Sequence, residues 1–407
     1  MTSVFFMPTK VVSGAGALHV LGRSAVELSM TRVLVVSDPI ISRQAYYADA
    51  LSLLEASGLN VVRFEDCEVD ARVHQIDAQG ERVRCEGIDG IISIGGGSAM
   101  CAGKGIAIVA NNGTSLRACS GVANFKNRPL PMIMVPTTAG SGSEVSQWTV
   151  VKDDDHHDKL VCGGPLSFPN VAILDPAVLA SLPPSVAAAT GVDALTHALE
   201  AFTSGASSPI TDGLALEAIR LLAGGLRSSV CAVSDEAARM AAIVAASMAN
   251  MACGNARLGH AHTLSLPLES LLDLPHTLGV GVLMPHVLAF NLTVLPEKAI
   301  RVADALGVRL PGGASLAASI QASVRALREL YTDIGFPLAW TEAQVPHERL
   351  REMAERAVPG LYAGSEGLAR LRKAAIGDGT VIESFAPRRM TVRQAEHMFR
   401  VCLVDPI

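Results

Sequence analysis

The apolar pattern of this chain changes once, at Leu182-Pro183-Pro184, and that change narrows the folds open to it. Before it, short runs rich in Val and Ile occupy residues 32–37 (RVLVVS), 60–64 (NVVRF), 90–94 (GIISI), 131–135 (PMIMV) and 171–174 (VAIL). Most of these runs end at Gly, Pro or Asp, and helix-like stretches such as residues 43–57 separate them. Alternation at that pitch predicts βαβ units and a mostly parallel sheet. After the break, long helical patterns take over at residues 185–204, 210–229, 235–253 and 316–335. The expected fold class is therefore α/β plus all-α. A Rossmann-like parallel-sheet domain over residues 1–180 precedes an all-helical domain over residues 181–407. The polar cluster at 153–158 (DDDHHD) reads as a hairpin tip.

A chain of 407 residues holds two or three domains at roughly 100–200 residues each. With 49% hydrophobic and 18% charged residues, it buries too much apolar surface to be disordered. A net charge of -6 argues against nucleic-acid binding, which needs a basic surface. The longest uncharged stretches, 240–256 and 277–296, carry Asn, His and Pro, so they read as packed helices rather than membrane spans. The N-terminus, MTSVFFMPTK, lacks the basic and apolar regions of a signal peptide. Eight dispersed cysteines without a C-x-x-C pair read as reduced thiols in a cytoplasmic protein.

Three features carry chemistry. Gly95-Gly96-Gly97-Ser98 follows a strand and opens a helix, where glycine lets backbone N–H groups approach a pyrophosphate. Lys104 further along could add charge there. The run is not G-x-G-x-x-G, so an ordinary Rossmann domain is not implied. Thr137-Thr138-Ala139-Gly140-Ser141-Gly142-Ser143-Glu144 also ends a strand, and two such loops favour a nucleotide site over two flexible turns. Asp193 and His197, four apart, share one helix face. His260, His262, His276 and His286 lie downstream. An acidic oxygen and several imidazoles form a donor set for a divalent metal such as zinc or iron.

In this order and spacing the motifs resemble the iron-dependent, or group III, alcohol dehydrogenases over nearly the full length. The matching pieces are Asp38 after VLVVS, GGGS with Lys104, PTTAGSGSE, Lys159, LDP at 174–176 and TGVDALTHALEAF. GHAHTLSLPLESLLDLPHTLGVGVLMPH and the late APRRMT complete the series. The resemblance implies a two-domain fold like that of dehydroquinate synthases. It also implies one divalent metal, iron before zinc, held by Asp193, His197, His262 and His276. His262 is taken over His260 because the family's second ligand pair is fourteen positions apart, while His286 looks structural. Nucleotide contacts fall on Asp38, Gly95, Gly96, Gly97, Ser98, Thr137, Thr138, Lys159 and Leu179. Asp38 would accept from a ribose 2′-OH and repel a 2′-phosphate, which favours NAD over NADP.

The implied activity is hydride transfer between NAD(H) and a small alcohol or aldehyde, with a semialdehyde or oxo-acid among the candidates. The implied partner is that substrate alone, in a cytoplasmic homodimer with no membrane or nucleic acid. Two positions depart from the family pattern. Cys101 stands where an acid usually follows GGGS, and Leu266 stands where a proton-relaying histidine is common. Maleylacetate reductases also lack the acid, but tend to lose part of the tetrad that is complete here. A dehydroquinate-synthase-type lyase would need several Lys and Arg, and residues 185–290 hold only Arg220, Arg227, Arg239 and Arg257.

Overall fold

The short apolar runs form strands, further strands join them, and all are named in chain order. They are β1 (Lys10–Ser13), β2 (Arg32–Val36), β3 (Asn60–Phe64), β4 (Gly90–Gly95), β5 (Gly121–Val122) and β6 (Met132–Pro136). β7 (Trp148–Asp153), β8 (Asp158–Gly163) and β9 (Val171–Leu174) follow. The computed structural model describes residues 3–155, 158–232, 234–358 and 377–403. Among these, six strands pair in the order β1-β9-β6-β4-β2-β3, every neighbouring pair parallel. β4, β6 and β9 are buried along their whole length. That is why they read as continuous apolar runs without alternation: a parallel sheet covered on both faces has no wet side.

The edge strand β1 gave no sequence signal because KVVS is short and half exposed. Strands β5, β8 and β7 form a separate three-stranded sheet. β7 and β8 pair antiparallel out to Asp153 and Asp158, so the acidic cluster does flank a hairpin connection; His156 and His157 lie outside the described residues.

Helices α1 (Leu21–Glu27), α2 (Ala45–Ala56), α3 (Val73–Cys85) and α4 (Gly97–Asn112) make the crossovers between the early strands. Beyond β9 the chain is mainly helical. α5 (Pro184–Thr203), α6 (Pro209–Cys231), α7 (Glu236–Ala256), α8 (His260–Leu272) and α9 (His276–Leu292) come first. α10 (Pro296–Ala305) and α11 (Leu316–Asp333) follow. Local signals set several starts. Ser208 and Thr211 form a reciprocal capping box with Pro209 at the first position of α6, and Ser315 caps α11. α7 is long and apolar enough to cross a membrane, but 61% of that window is buried inside the fold, as a core helix requires. The late two-residue strands Val381–Ile382 and Met390–Thr391 pair antiparallel, a hairpin that the helical expectation did not include.

Contacts divide the chain into two compact units. One is Phe6–Pro183 with Val233–Ser247; the other is Met1–Phe5, Pro184–Ala232 and Met248–Ile407. Within the helical unit α9 packs tightly on α5 at Gly281. A Cβ there would come within 2.5 Å of the Phe336 ring and 2.6 Å of a Val192 methyl. Because Val192 precedes Asp193, the missing side chain at 281 sets how closely α9 approaches the polar face of α5. Gly281→Val should therefore cost about 1–3 kcal/mol from overpacking, read as a lower urea midpoint. An unchanged midpoint would show that Phe336 simply moves aside.

Candidate metal centre

On α5, Asp193, His197 and Glu200 lie at spacings of four and three, so the helix stacks them on one face. α8 contributes His262 in its first turn, and α9 opens with His276. These side chains converge. Asp193 Oδ1 lies 3.9 Å from His197 Nε2, 3.8 Å from His262 Nε2 and 3.7 Å from His276 Nε2. Asp193, His262 and His276 form the tightest trio, with ligand atoms all within 4.8 Å of one another. A tetrahedral site with bonds of ~2.1 Å has ligand–ligand edges of about 3.4 Å, only a few tenths shorter than the three distances from Asp193 Oδ1.

The donor chemistry also fits an ion. Asp193 Oδ1 and His262 Nε2 are buried without a hydrogen-bond partner. Native interiors rarely leave a carboxylate oxygen in that state, because the desolvation goes uncompensated. A divalent cation between them would satisfy both atoms, and one carboxylate with imidazoles suits iron(II) or zinc.

Two further carboxylates aim the rings. His262 Nδ1 meets Glu200 Oε2 at 2.7 Å, and His276 Nδ1 meets Glu269 Oε1 at 2.6 Å. With the proton on Nδ1, each Nε2 presents a lone pair to the centre. Glu200 also accepts the amides of Gly259 (2.9 Å) and Ala261 (2.6 Å), the unpaired donors at the start of α8. Glycine is needed at 259, since a Cβ there would stand 2.9 Å from Glu200 Oε1. Burial would raise the Glu200 carboxyl, but the His262 ring and these amides outweigh it and hold it below the usual value. Burial pushes His197 down to about 4, against the pull of Asp193, so its ring is neutral and able to ligate.

His260 is occupied elsewhere. Its Nε2 lies 2.7 Å from the Arg388 carbonyl oxygen and its Nδ1 2.9 Å from Ser384 Oγ, which ties the late APRRMT segment to α8. His286 sits half-buried inside α9, and burial lowers its pKa. Leu266 stands half-buried one turn after His262 and brings no titrating group.

In the sheet unit, four neighbouring strands place the other candidates at their C-terminal ends. Asp38 follows β2, Gly95 ends β4 and Gly96-Gly97-Ser98 follow it, Thr137-Thr138 follows β6, and Leu179 lies in the turn after β9. The chain runs from β2 outward to β3 and returns to β4 on the other side, so Asp38 and Gly95 flank the switch point where open α/β sheets bind ligands. Asp38 Oδ1 accepts the amides of Ile40 (2.8 Å) and Ile41 (3.0 Å). Its Oδ2 lies 3.7 Å from the place a Gly95 Cβ would take. Thr137 N donates to Gly95 O at 3.0 Å and joins the two loops. Gly96 caps the sixteen-residue α4, whose first turn holds no acidic residue. Lys159 lies apart from this row, on β8 of the three-stranded sheet.

Lys104 does not serve the glycine loop. It is fully buried and donates to Ser143 O (3.0 Å), Ser143 Oγ (2.8 Å), Ser146 O (3.2 Å) and the Trp148 carbonyl. Burial lowers its pKa, partly offset by Cys101 and Glu144. Cys101, one turn earlier, keeps its sulfur 3.8 Å from Ser143 Oγ. The lysine thus fixes the serine-rich loop instead of adding charge beside a pyrophosphate.

Sequence reasoning missed Glu200 and Glu269. A signal existed: Glu200 lies seven residues after Asp193, and Glu269 seven after His262, so each shares a face with a candidate ligand.

Comparison with known proteins covers both units. The profile described as "Iron-containing alcohol dehydrogenase" matches residues 8–176, and that described as "Fe-containing alcohol dehydrogenase family, C-terminal" matches residues 187–366. Choline dehydrogenase of Bacillus subtilis (strain 168) is 33% identical, over 86% of this chain and 88% of its own. 1,3-Propanediol dehydrogenase of Citrobacter freundii is 33% identical over 87% and 92%. The crystal structure of a 1,3-propanediol oxidoreductase superposes with a TM-score of 0.90 at 30% identity, covering 99% of this chain and 100% of that one.

Replacing His262 with Ala should abolish retention of a divalent ion in metal analysis. Replacing His260 with Ala should leave metal content near wild type and lower the melting temperature, since it cuts the link to Ser384 and Arg388. Metal loss confined to the His260 variant would reverse the assignment.

Proposed function

This chain belongs to the iron-containing alcohol dehydrogenase family, and from that premise we infer an NAD-linked, metal-dependent interconversion of a small alcohol and its aldehyde. That it is an oxidoreductase of alcohols and aldehydes follows from the family; the metal ligands, the nucleotide and the substrate class are the inference. The observation that carries it is the convergence of three imidazole nitrogens on the partnerless Asp193 Oδ1.

Asp193, His197, His262 and His276 would hold the ion, with iron(II) ahead of zinc given the family. A bound ion would supply Lewis acidity at the substrate oxygen, and a bound nicotinamide would supply or take up the hydride. The protein's own part is orientation. Glu200 and Glu269 keep the Nδ1 protons of His262 and His276 turned away from the centre. Gly95, Gly96, Gly97 and Ser98 at the start of α4 would face the pyrophosphate, with Thr137, Thr138 and Leu179 along the same edge and Lys159 on the hairpin sheet. Asp38 would take the ribose. Leu266 carries no proton, so relay falls to water or a ribose hydroxyl. A cytoplasmic homodimer belongs to the same reading.

The direct test follows NADH oxidation with short aldehydes, semialdehydes and oxo-acids, with Fe²⁺ or Zn²⁺ restored after chelation. Turnover that needs the metal supports the reading; turnover indifferent to chelation sinks it. Asp38→Gly should raise NADP use relative to NAD by about ten- to hundredfold, the equivalent of roughly 1–3 kcal/mol of lost repulsion. A wild type that already prefers NADP would contradict the role given to Asp38.

A further inference from the structure

The side chains around Asp193 are not equally enclosed. Those of Asp193, His197 and His262 are 5%, 9% and 3% exposed, whereas that of His276 is 35% exposed. Their anchoring differs too. His262 lies within the first turn of α8 and leans on Glu200, whose carboxylate is fixed by the amides of Gly259 and Ala261. Turning that ring outward would take the ring donor from the buried Glu200 carboxylate and open the core. His276 is the first residue of α9, just after Pro275, with solvent on one side. Its Nδ1 is held by Glu269 Oε1, which also takes the Ser265 hydroxyl at 2.9 Å.

We propose that His276 is the gate of the metal site: the ion enters and leaves past this ring, and Glu269 is the latch that keeps it turned inward. The inference rests on the metal reading above and adds to it a route and a positioning residue. His276 can swing about its own side-chain torsions while Asp193, His197 and His262 stay in place. With it out, Asp193, His197 and His262 would still hold the ion, and the place of the part-exposed His276 ring would stand open. Glu269 sets how often that happens, because the buried carboxylate to ring N–H bond must break for the ring to leave.

The test uses the full chain loaded with Co²⁺, whose visible absorption reports the bound ion, and follows release into excess EDTA. Glu269→Gln should speed release about 10–100-fold, the size of effect expected when a ligand loses its carboxylate partner. The melting temperature of the metal-free protein should hardly change. Ser265→Ala, which removes the hydroxyl shared between Glu269 Oε1 and the His262 carbonyl oxygen, should speed release in the same direction by a smaller factor. Glu200→Gln should instead lower the metal-free melting temperature and change release less than Glu269→Gln. If the wild type takes up no Co²⁺, the metal reading itself falls and the gate with it. If Co²⁺ binds but Glu269→Gln and Ser265→Ala leave release unchanged, the gate alone is overturned. Release from Glu200→Gln as fast as from Glu269→Gln would overturn it as well.

Discussion

Glu200 accepts two backbone amides at the start of α8 and the Nδ1 proton of His262, all from a position on α5. This one carboxylate does what no local signal could. It satisfies helix-end donors that would otherwise be buried unpaired, complements the positive end of the α8 dipole, and fixes the tautomer of a candidate ligand. The cost of burying the charge is met by three donors at 2.6–2.9 Å. The Glu269–His276 pair repeats the logic between α8 and α9. Through these two bonds, α5, α8 and α9 are joined in series, and the lone pairs of both imidazoles point at Asp193. The centre is thus organised by protein–protein hydrogen bonds on its outer side, with Asp193 Oδ1 left over on the inner side.

The sheet unit obeys a different constraint. A parallel sheet buried on both faces can present polar groups only at its ends, so the glycine and threonine loops appear where β4 and β6 stop. Lys104 shows how strictly the interior is policed. A buried ammonium group is tolerated because carbonyl and hydroxyl oxygens of residues 143–148 surround it, and burial lowers its pKa even so. Beside it, Glu144 is buried, accepts the Ser247 hydroxyl at 2.6 Å and has its pKa raised by desolvation. Lysine and glutamate here hold a loop in shape.

Periodicity made most of the architecture legible. Residues 60–64 and 171–174 are strands with the bounds expected, and α5 and α11 begin within one residue of theirs. These elements follow from local rules: apolar runs of strand length, helical periods, and Ser or Pro at helix starts. β1 escaped notice because an exposed edge strand of four residues leaves no apolar run. The late hairpin escaped because two-residue strands have no period at all.

The sequence by itself determined that Asp193 and His197 share a face, since four residues make about one helical turn whatever the surroundings. It also determined that glycine- and threonine-rich loops end buried strands. Only the tertiary structure decided which groups meet. His260 and His262 are two apart on α8 and so point different ways, one to Ser384 and Arg388, the other to Asp193 and Glu200. Glu200 meets Gly259 and His262 across 59 and 62 residues of chain. Lys104 meets its oxygens across 39 to 44. Helix and strand periods are set by neighbours a few residues away and are written into any short window of sequence. Partners that far apart are fixed by how whole elements pack, which no short window contains.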